Sequence, residues 1–139
     1  MKILVTSHGA LCNGILESFE MIAGQLPNII SLSLSKDDTG QYKKELEDII
    51  VTEKEDGLII LCDIIGGTPY NESYRHFLMY PDKVKVVSGL NLAMLMESGL
   101  ALNNAVDLQE LVDIAIDSGI QSITQAQPIL EENQLDIEF

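Results

Sequence analysis

The chain has 139 residues, 46% of them hydrophobic, enough for one domain with a sizeable core and too apolar for intrinsic disorder. Its formal charge is −14, and no Lys or Arg follows Lys85 whereas Glu97 and eight further acids do; this argues against nucleic acid or an anionic membrane surface as a partner and leaves room for a basic protein. No apolar run is long enough to span a bilayer, the N-terminus turns polar too soon for a signal peptide, and Cys12 and Cys62 lack the spacing of a disulfide framework or a zinc motif, so a cytoplasmic protein with buried reduced thiols is expected.

Apolar strand-like runs alternate with helical patterns along the chain. Residues Lys2–Thr6 read as a first strand that emerges at Ser7-His8-Gly9. Leu11, Ile15, Leu16, Phe19 and Ile22 follow helical spacing, and Gly24 with Pro27 closes that helix. Ile29–Leu34 is a second strand, its Ile30, Leu32 and Leu34 alternating with serines, and Asp37-Asp38-Thr39 offers capping side chains for a helix through Tyr42, Leu46, Ile49 and Ile50. Leu58–Cys62 is a third strand, apolar on both faces. Gly66-Gly67-Thr68-Pro69 then starts a helix to about Met79, with Thr68 as the expected N-cap and Pro69 as the first helical residue. Val84–Ser88 is a fourth strand, followed by a short helix over Leu92–Glu97 that Gly99 ends. A longer helix carries Leu108, Leu111, Val112, Ala115, Ile116, Ile120 and Ile123 on one stripe. After Pro128 the tail alternates apolar and acidic residues at Leu135, Ile137 and Phe139, the pattern of an extra edge strand.

Strands separated by helices imply βαβ units: an α/β fold, doubly wound, with a mainly parallel four-stranded sheet and helices on both faces, in one domain over residues 1–139. In such sheets, sites collect at the carboxyl ends of the strands. His8 follows strand one; Asp63 and the Gly-Gly-Thr-Pro turn follow strand three; Ser88, Gly89 and Asn91 follow strand four. A neutral imidazole is a nucleophile whose nitrogen can carry a phosphoryl group. It then needs a partner on the other ring nitrogen, and a carboxylate such as Asp63 suits that task. The backbone N–H groups of Gly66, Gly67 and Thr68 open a helix, where the dipole favours an anion. The plainer alternatives remain open on this ground alone: a loop histidine without chemistry, a turn aspartate, and a turn that only initiates a helix. His76 falls inside a helix beside Arg75 and reads as a surface or half-buried residue; Met94 and Met96 read as core. No Walker motif, G-x-G-x-x-G, H-E-x-x-H or G-x-S-x-G is present, and nothing in the chain calls for a cofactor or a metal.

Three segments carry a resemblance. They are Ile3-Leu4-Val5-Thr6-Ser7-His8-Gly9 with the helix after it, Leu61-Cys62-Asp63-Ile64-Ile65-Gly66-Gly67-Thr68-Pro69-Tyr70-Asn71, and Val87-Ser88-Gly89-Leu90-Asn91-Leu92-Ala93-Met94-Leu95. In order and spacing the sequence resembles the mannose-family EIIA proteins of the bacterial sugar phosphotransferase system. The resemblance implies that His8 is phosphorylated on Nε2, that Asp63 holds Nδ1, and that Gly66, Gly67 and Thr68 line the phosphate site. It implies phospho-HPr as donor and a histidine of a cognate EIIB as acceptor, through which the protein would associate with the membrane components EIIC and EIID. It also implies a homodimer with an exchanged C-terminal strand, here within residues 126–139, and a free-standing EIIA. Ile65 departs from the aromatic residue of some members, and Ile129–Phe139 aligns poorly. Two other classes fit less well. The phosphocarrier subunit of the dihydroxyacetone kinase system shares the N-terminal histidine but not the turn after Asp63. A receiver domain needs an acidic cluster where this chain has Ser7-His8-Gly9. A regulatory module without phosphotransfer is the non-catalytic alternative.

Overall fold

The computed structural model describes residues 1–129. Four strands alternate with helices: β1 Lys2–His8, α1 Leu11–Ala23, β2 Ile29–Leu34, α2 Thr39–Glu53, β3 Leu58–Cys62, α3 Thr68–Met79, β4 Val84–Ser88, α4 Leu92–Ala101 and α5 Leu108–Gln121. A single 3₁₀ turn at Lys54–Asp56 links α2 to β3. All four strands are parallel in the order β2-β1-β3-β4, which bears out the expected sheet. Leu135, Ile137 and Phe139, the sequence's candidate for an edge strand, lie outside the described residues.

The two-residue period of the inner strands separates two cores. Ile3 and Val5 of β1 and Ile59 and Leu61 of β3 pack with Phe19, Leu95, Leu111 and Ala115 from α1, α4 and α5. Leu4 and the alternate residues Leu58, Ile60 and Cys62 pack on the opposite face with Tyr42, Leu46 and Ile50 of α2, and α3 adds Tyr70 and Phe77. Every residue of β3 is buried, as expected for a parallel strand covered on both faces. Thr6 brings a fully buried polar group into this second core, and it is satisfied: its hydroxyl donates to Leu32 O at 2.8 Å and accepts from the Tyr42 hydroxyl at 2.7 Å. Burial pushes the Tyr42 hydroxyl pKa up and that of the Cys62 thiol up to about 12, so both stay neutral at physiological pH, as buried groups do.

Local signals set the helix ends. Asp38 caps α2 by accepting the Gln41 N–H at 3.0 Å, and Asp107 caps α5 by accepting the Glu110 N–H at 2.9 Å. Gly24, at φ +82, closes α1. Three expectations change. Helix α4 continues through Gly99 to Ala101; Gly99 is a packing residue, where a Cβ would stand 2.7 Å from the Phe19 ring. The expected apolar stripe divides: Leu108, Leu111 and Ala115 of α5 enter the core, Ile120 stays 65% exposed, and Ile123, 78% exposed, falls beyond the end of the helix at Gln121, both beside the free edge of β4. The third change, at the start of α3, concerns the site. Among the described residues, no helix is long and apolar enough to cross a membrane.

Candidate functional site

Strands β1 and β3 are neighbours, yet their connections leave in opposite directions. From β1 the chain passes through α1 to β2 on one side; from β3 it passes through α3 to β4 on the other. The carboxyl ends of β1 and β3 therefore flank the crevice where open α/β sheets bind ligands. His8 is the last residue of β1 and Asp63 the first after β3.

The carboxylate of Asp63 fastens the two strand ends together. Its Oδ2 accepts the backbone N–H of His8 at 2.9 Å and lies 2.8 Å from ring Nδ1; its Oδ1 accepts the Ile64 N–H at 2.9 Å. The Asp63 side chain is 11% exposed and that of His8 50%. Burial works against ionisation of Asp63, but the bonds from the His8 backbone, the His8 ring and the Ile64 backbone outweigh it and hold the carboxyl below its ordinary range. An ionised carboxylate only accepts, so Nδ1 of the neutral ring carries the proton and Nε2 keeps its lone pair.

The other edge of the ring rests on the turn after β3. Gly66 adopts φ +83, open to glycine, and its carbonyl accepts from Asn71 Nδ2 at 2.9 Å. Gly67 follows with φ −76 and ψ 169 as the N-cap of α3, and no side chain of the described residues caps the helix there. This corrects the expected start: Thr68 is the first helical residue, Pro69 the second, and Gly67 the cap. Gly67 lies so close to His8 that a Cβ there would stand 3.1 Å from Nε2. The N-cap of α3 thus lies against the edge of the ring that carries the free nitrogen, and among the described residues no side chain caps the helix there.

Ser7 is a supporting residue that the sequence reading passed over. It is fully buried; its hydroxyl accepts the Cys12 N–H at 2.8 Å and donates to Gly9 O at 2.9 Å. One side chain thus pins both the turn after His8 and the start of α1. The signal, a serine beside the histidine and five residues before a helical amide, was present but not distinctive.

The structure brings together His8, Asp63 and Gly67, and sets the strand-four residues apart. Asn91 is spent on structure: it caps α4 by accepting the Met94 N–H at 2.9 Å and ties α4 to α5 by donating to Gly119 O at 3.1 Å. Ser88, Gly89 and Asn91 line a neighbouring cleft of about 460 Å³ with Tyr70, Met94 and Ile120. His76 is in the last turn of α3, at the opposite end of that helix from the site, and burial lowers its pKa.

The chain is similar to proteins of one family. The family described as "PTS system fructose IIA component" (EIIA-man) matches residues 2–116. The PTS system fructose-specific EIIA component of Bacillus subtilis is 30% identical over 118 residues, covering 81% of this chain and 77% of that protein. The PTS system sorbose-specific EIIA component of Lacticaseibacillus casei is 32% identical over 108 residues, 75% of each. The PTS system mannose-specific EIIAB component of Escherichia coli is 25% identical over 136 residues, and the chain spans only 41% of that protein's length. Among solved structures, the phosphotransferase system component EIIA from Streptococcus agalactiae superposes with a TM-score of 0.82 at 34% identity, covering 89% of this chain and 95% of that one. The match by sequence covers most of the chain and the match by structure the same fold, so the chain belongs to the EIIA-man family of phosphotransferase-system IIA components.

Proposed function

We propose that this chain is a phosphocarrier of sugar uptake that accepts a phosphoryl group from phospho-HPr on Nε2 of His8 and passes it to a histidine of a cognate EIIB. The observation that carries this reading is the 2.8 Å pairing of His8 Nδ1 with Asp63, which leaves Nε2 as the ring's free nucleophile at the crevice. In the accepting step the Nε2 lone pair attacks phosphorus. The bond from phosphorus to the donor breaks, and its electron pair departs with the donor. The ring then bears Nδ1–H and Nε2–phosphoryl and is cationic, and the Asp63 carboxylate offsets that charge. Transfer to EIIB runs the same step in reverse.

The phosphoryl oxygens need donors, and Gly66, Gly67 and Thr68 are the residues assigned to them. The start of α3 supports this assignment: its early N–H groups lack a capping side chain among the described residues, and the helix dipole favours an anion there. Backbone donors suit a carrier, because they stabilise the group without a fixed cation that would hinder release.

The active assembly is a homodimer in this reading. Strand β4 ends the described sheet with one edge free, and the exposed Ile120 and Ile123 stand beside it. A strand from residues 126–139 of a second copy would pair that edge and cover those side chains. The protein works in the cytoplasm and meets EIIC and EIID only through EIIB.

The direct test is incubation with phosphoenolpyruvate, the first enzyme of the system and HPr. Label should appear on the chain in an acid-labile, base-stable bond and move on to EIIB. Absence of label would refute the reading.

A further inference from the structure

Gly67 was singled out above for its backbone N–H, but the geometry gives its missing side chain a separate task. A Cβ built on Gly67 would stand 2.5 Å from His8 Cε1, 3.1 Å from Nε2 and 3.4 Å from Ile64 Cγ2. Ordinary carbon–carbon contact is about 3.5–4.0 Å, so any side chain would displace the ring by about 1 Å. The backbone itself does not require glycine, since φ −76 and ψ 169 are open to every L-residue. Gly66 is the opposite case: its φ of +83 demands glycine, while a Cβ there would meet nothing within 4 Å.

We propose that Gly67 is a positioning residue whose bare Cα forms one wall of the slot that seats the His8 ring against Asp63. The ring is gripped along two edges: Asp63 holds Nδ1 by a hydrogen bond, and the Gly67 backbone abuts the Cε1–Nε2 edge. With its side chain half exposed, His8 has open space on the solvent side into which it would swing if either grip were lost. A displacement of about 1 Å away from Gly67 stretches the 2.8 Å Nδ1–Oδ2 pair out of good hydrogen-bond range and turns Nε2 off the line of attack. The wall therefore sets both the tautomer and the aim of the nucleophile. The inference rests on the reading that His8 carries the phosphoryl group, but its structural content is separable from that reading.

The test is Gly67→Ala, which keeps the backbone N–H and a compatible backbone. If Gly67 served only as an N–H donor, phosphoryl acceptance from phospho-HPr would proceed at the parental rate. Acceptance is expected to fall roughly ten- to a hundred-fold, the scale of a misplaced reacting group. Nitrogen NMR of the unphosphorylated protein should show the Nδ1–H form of His8 losing its dominance. A thermal double-mutant cycle gives a readout independent of transfer: Gly67→Ala should lower Tm by roughly 2–6 °C with His8 present and leave it unchanged in the His8→Ala background. A parental rate with a parental ring spectrum would overturn the proposal, as would an equal loss of Tm, or of folding, in both backgrounds. If the parent takes no label while the spectrum and the cycle behave as expected, the phosphocarrier reading fails and the ring slot stands.

Discussion

A single oxygen of Asp63 holds His8 twice, accepting its backbone N–H at 2.9 Å and pairing with its ring Nδ1 at 2.8 Å. The first bond fixes where β1 ends relative to β3, and the second fixes the ring upon that backbone. Position and tautomer of the His8 ring therefore depend on the same carboxylate, and the consequences of removing it are specific.

Asp63→Asn should fold like the parent, because the side chains are nearly isosteric and the amide oxygen still accepts one backbone N–H. The amide N–H₂ can donate to Nδ1 and favour the tautomer with a protonated Nε2. Phosphoryl acceptance should slow by about ten- to a thousand-fold, the range of an orienting or acid–base role. Time courses of phosphorylation, run beside circular dichroism of both proteins, check this; parental rates in a folded variant would reduce Asp63 to a turn residue.

The same carboxyl makes stability depend on acid. Its pKa lies below the ordinary value in the folded protein, so the unfolded chain binds the proton more readily. The stabilisation is therefore fully present above the ordinary aspartate pKa of about 3.9 and is lost as pH falls below it through the folded-state value. The Tm advantage of the parent over Asp63→Asn should stay level from neutral pH to about 5 and shrink below about 4. An advantage that grows in acid would reverse the sign of the argument.

Ser7→Ala should destabilise the fold by about 1–3 kcal/mol, because it leaves the Cys12 N–H and the Gly9 carbonyl without the buried hydroxyl that serves both. Chemical denaturation measures this directly. A loss within about 0.5 kcal/mol, typical of an uninvolved surface position, would show that water replaces the hydroxyl.

Sedimentation of the full chain at micromolar concentration should give a dimer, and Ile120→Glu should shift it toward monomer by charging the apolar surface beside β4. A monomer for the parent at every concentration would refute the assembly.

Much of this was legible in the chain. Ile3 and Val5 against Leu4, and Ile59 and Leu61 against Leu58 and Ile60, write the two-faced sheet directly into a period of two. Parallel topology then places His8 and Asp63 at one sheet edge without further information. What stayed hidden depends on distance between elements that sequence does not encode. Gly99 reads as a helix stop because nothing local reveals that the Phe19 ring lies against it. Thr68 reads as a cap because its chemistry suits one, whereas Gly67 takes that place, and nothing local to Gly67 reveals that the ring of His8 leaves no room there for a side chain. In the sequence Ile120 and Ile123 continue the helical spacing of Leu111 and Ala115, and only the structure shows that the helix ends at Gln121 and where the core stops.

The most direct measurement follows label from phosphoenolpyruvate, through the first enzyme and HPr, onto the chain and its two single-histidine variants. The parent and His76→Ala should label equally, in an acid-labile and base-stable bond, and His8→Ala should take no label. Label on His8→Ala equal to the parent, or none on the parent, would contradict the account.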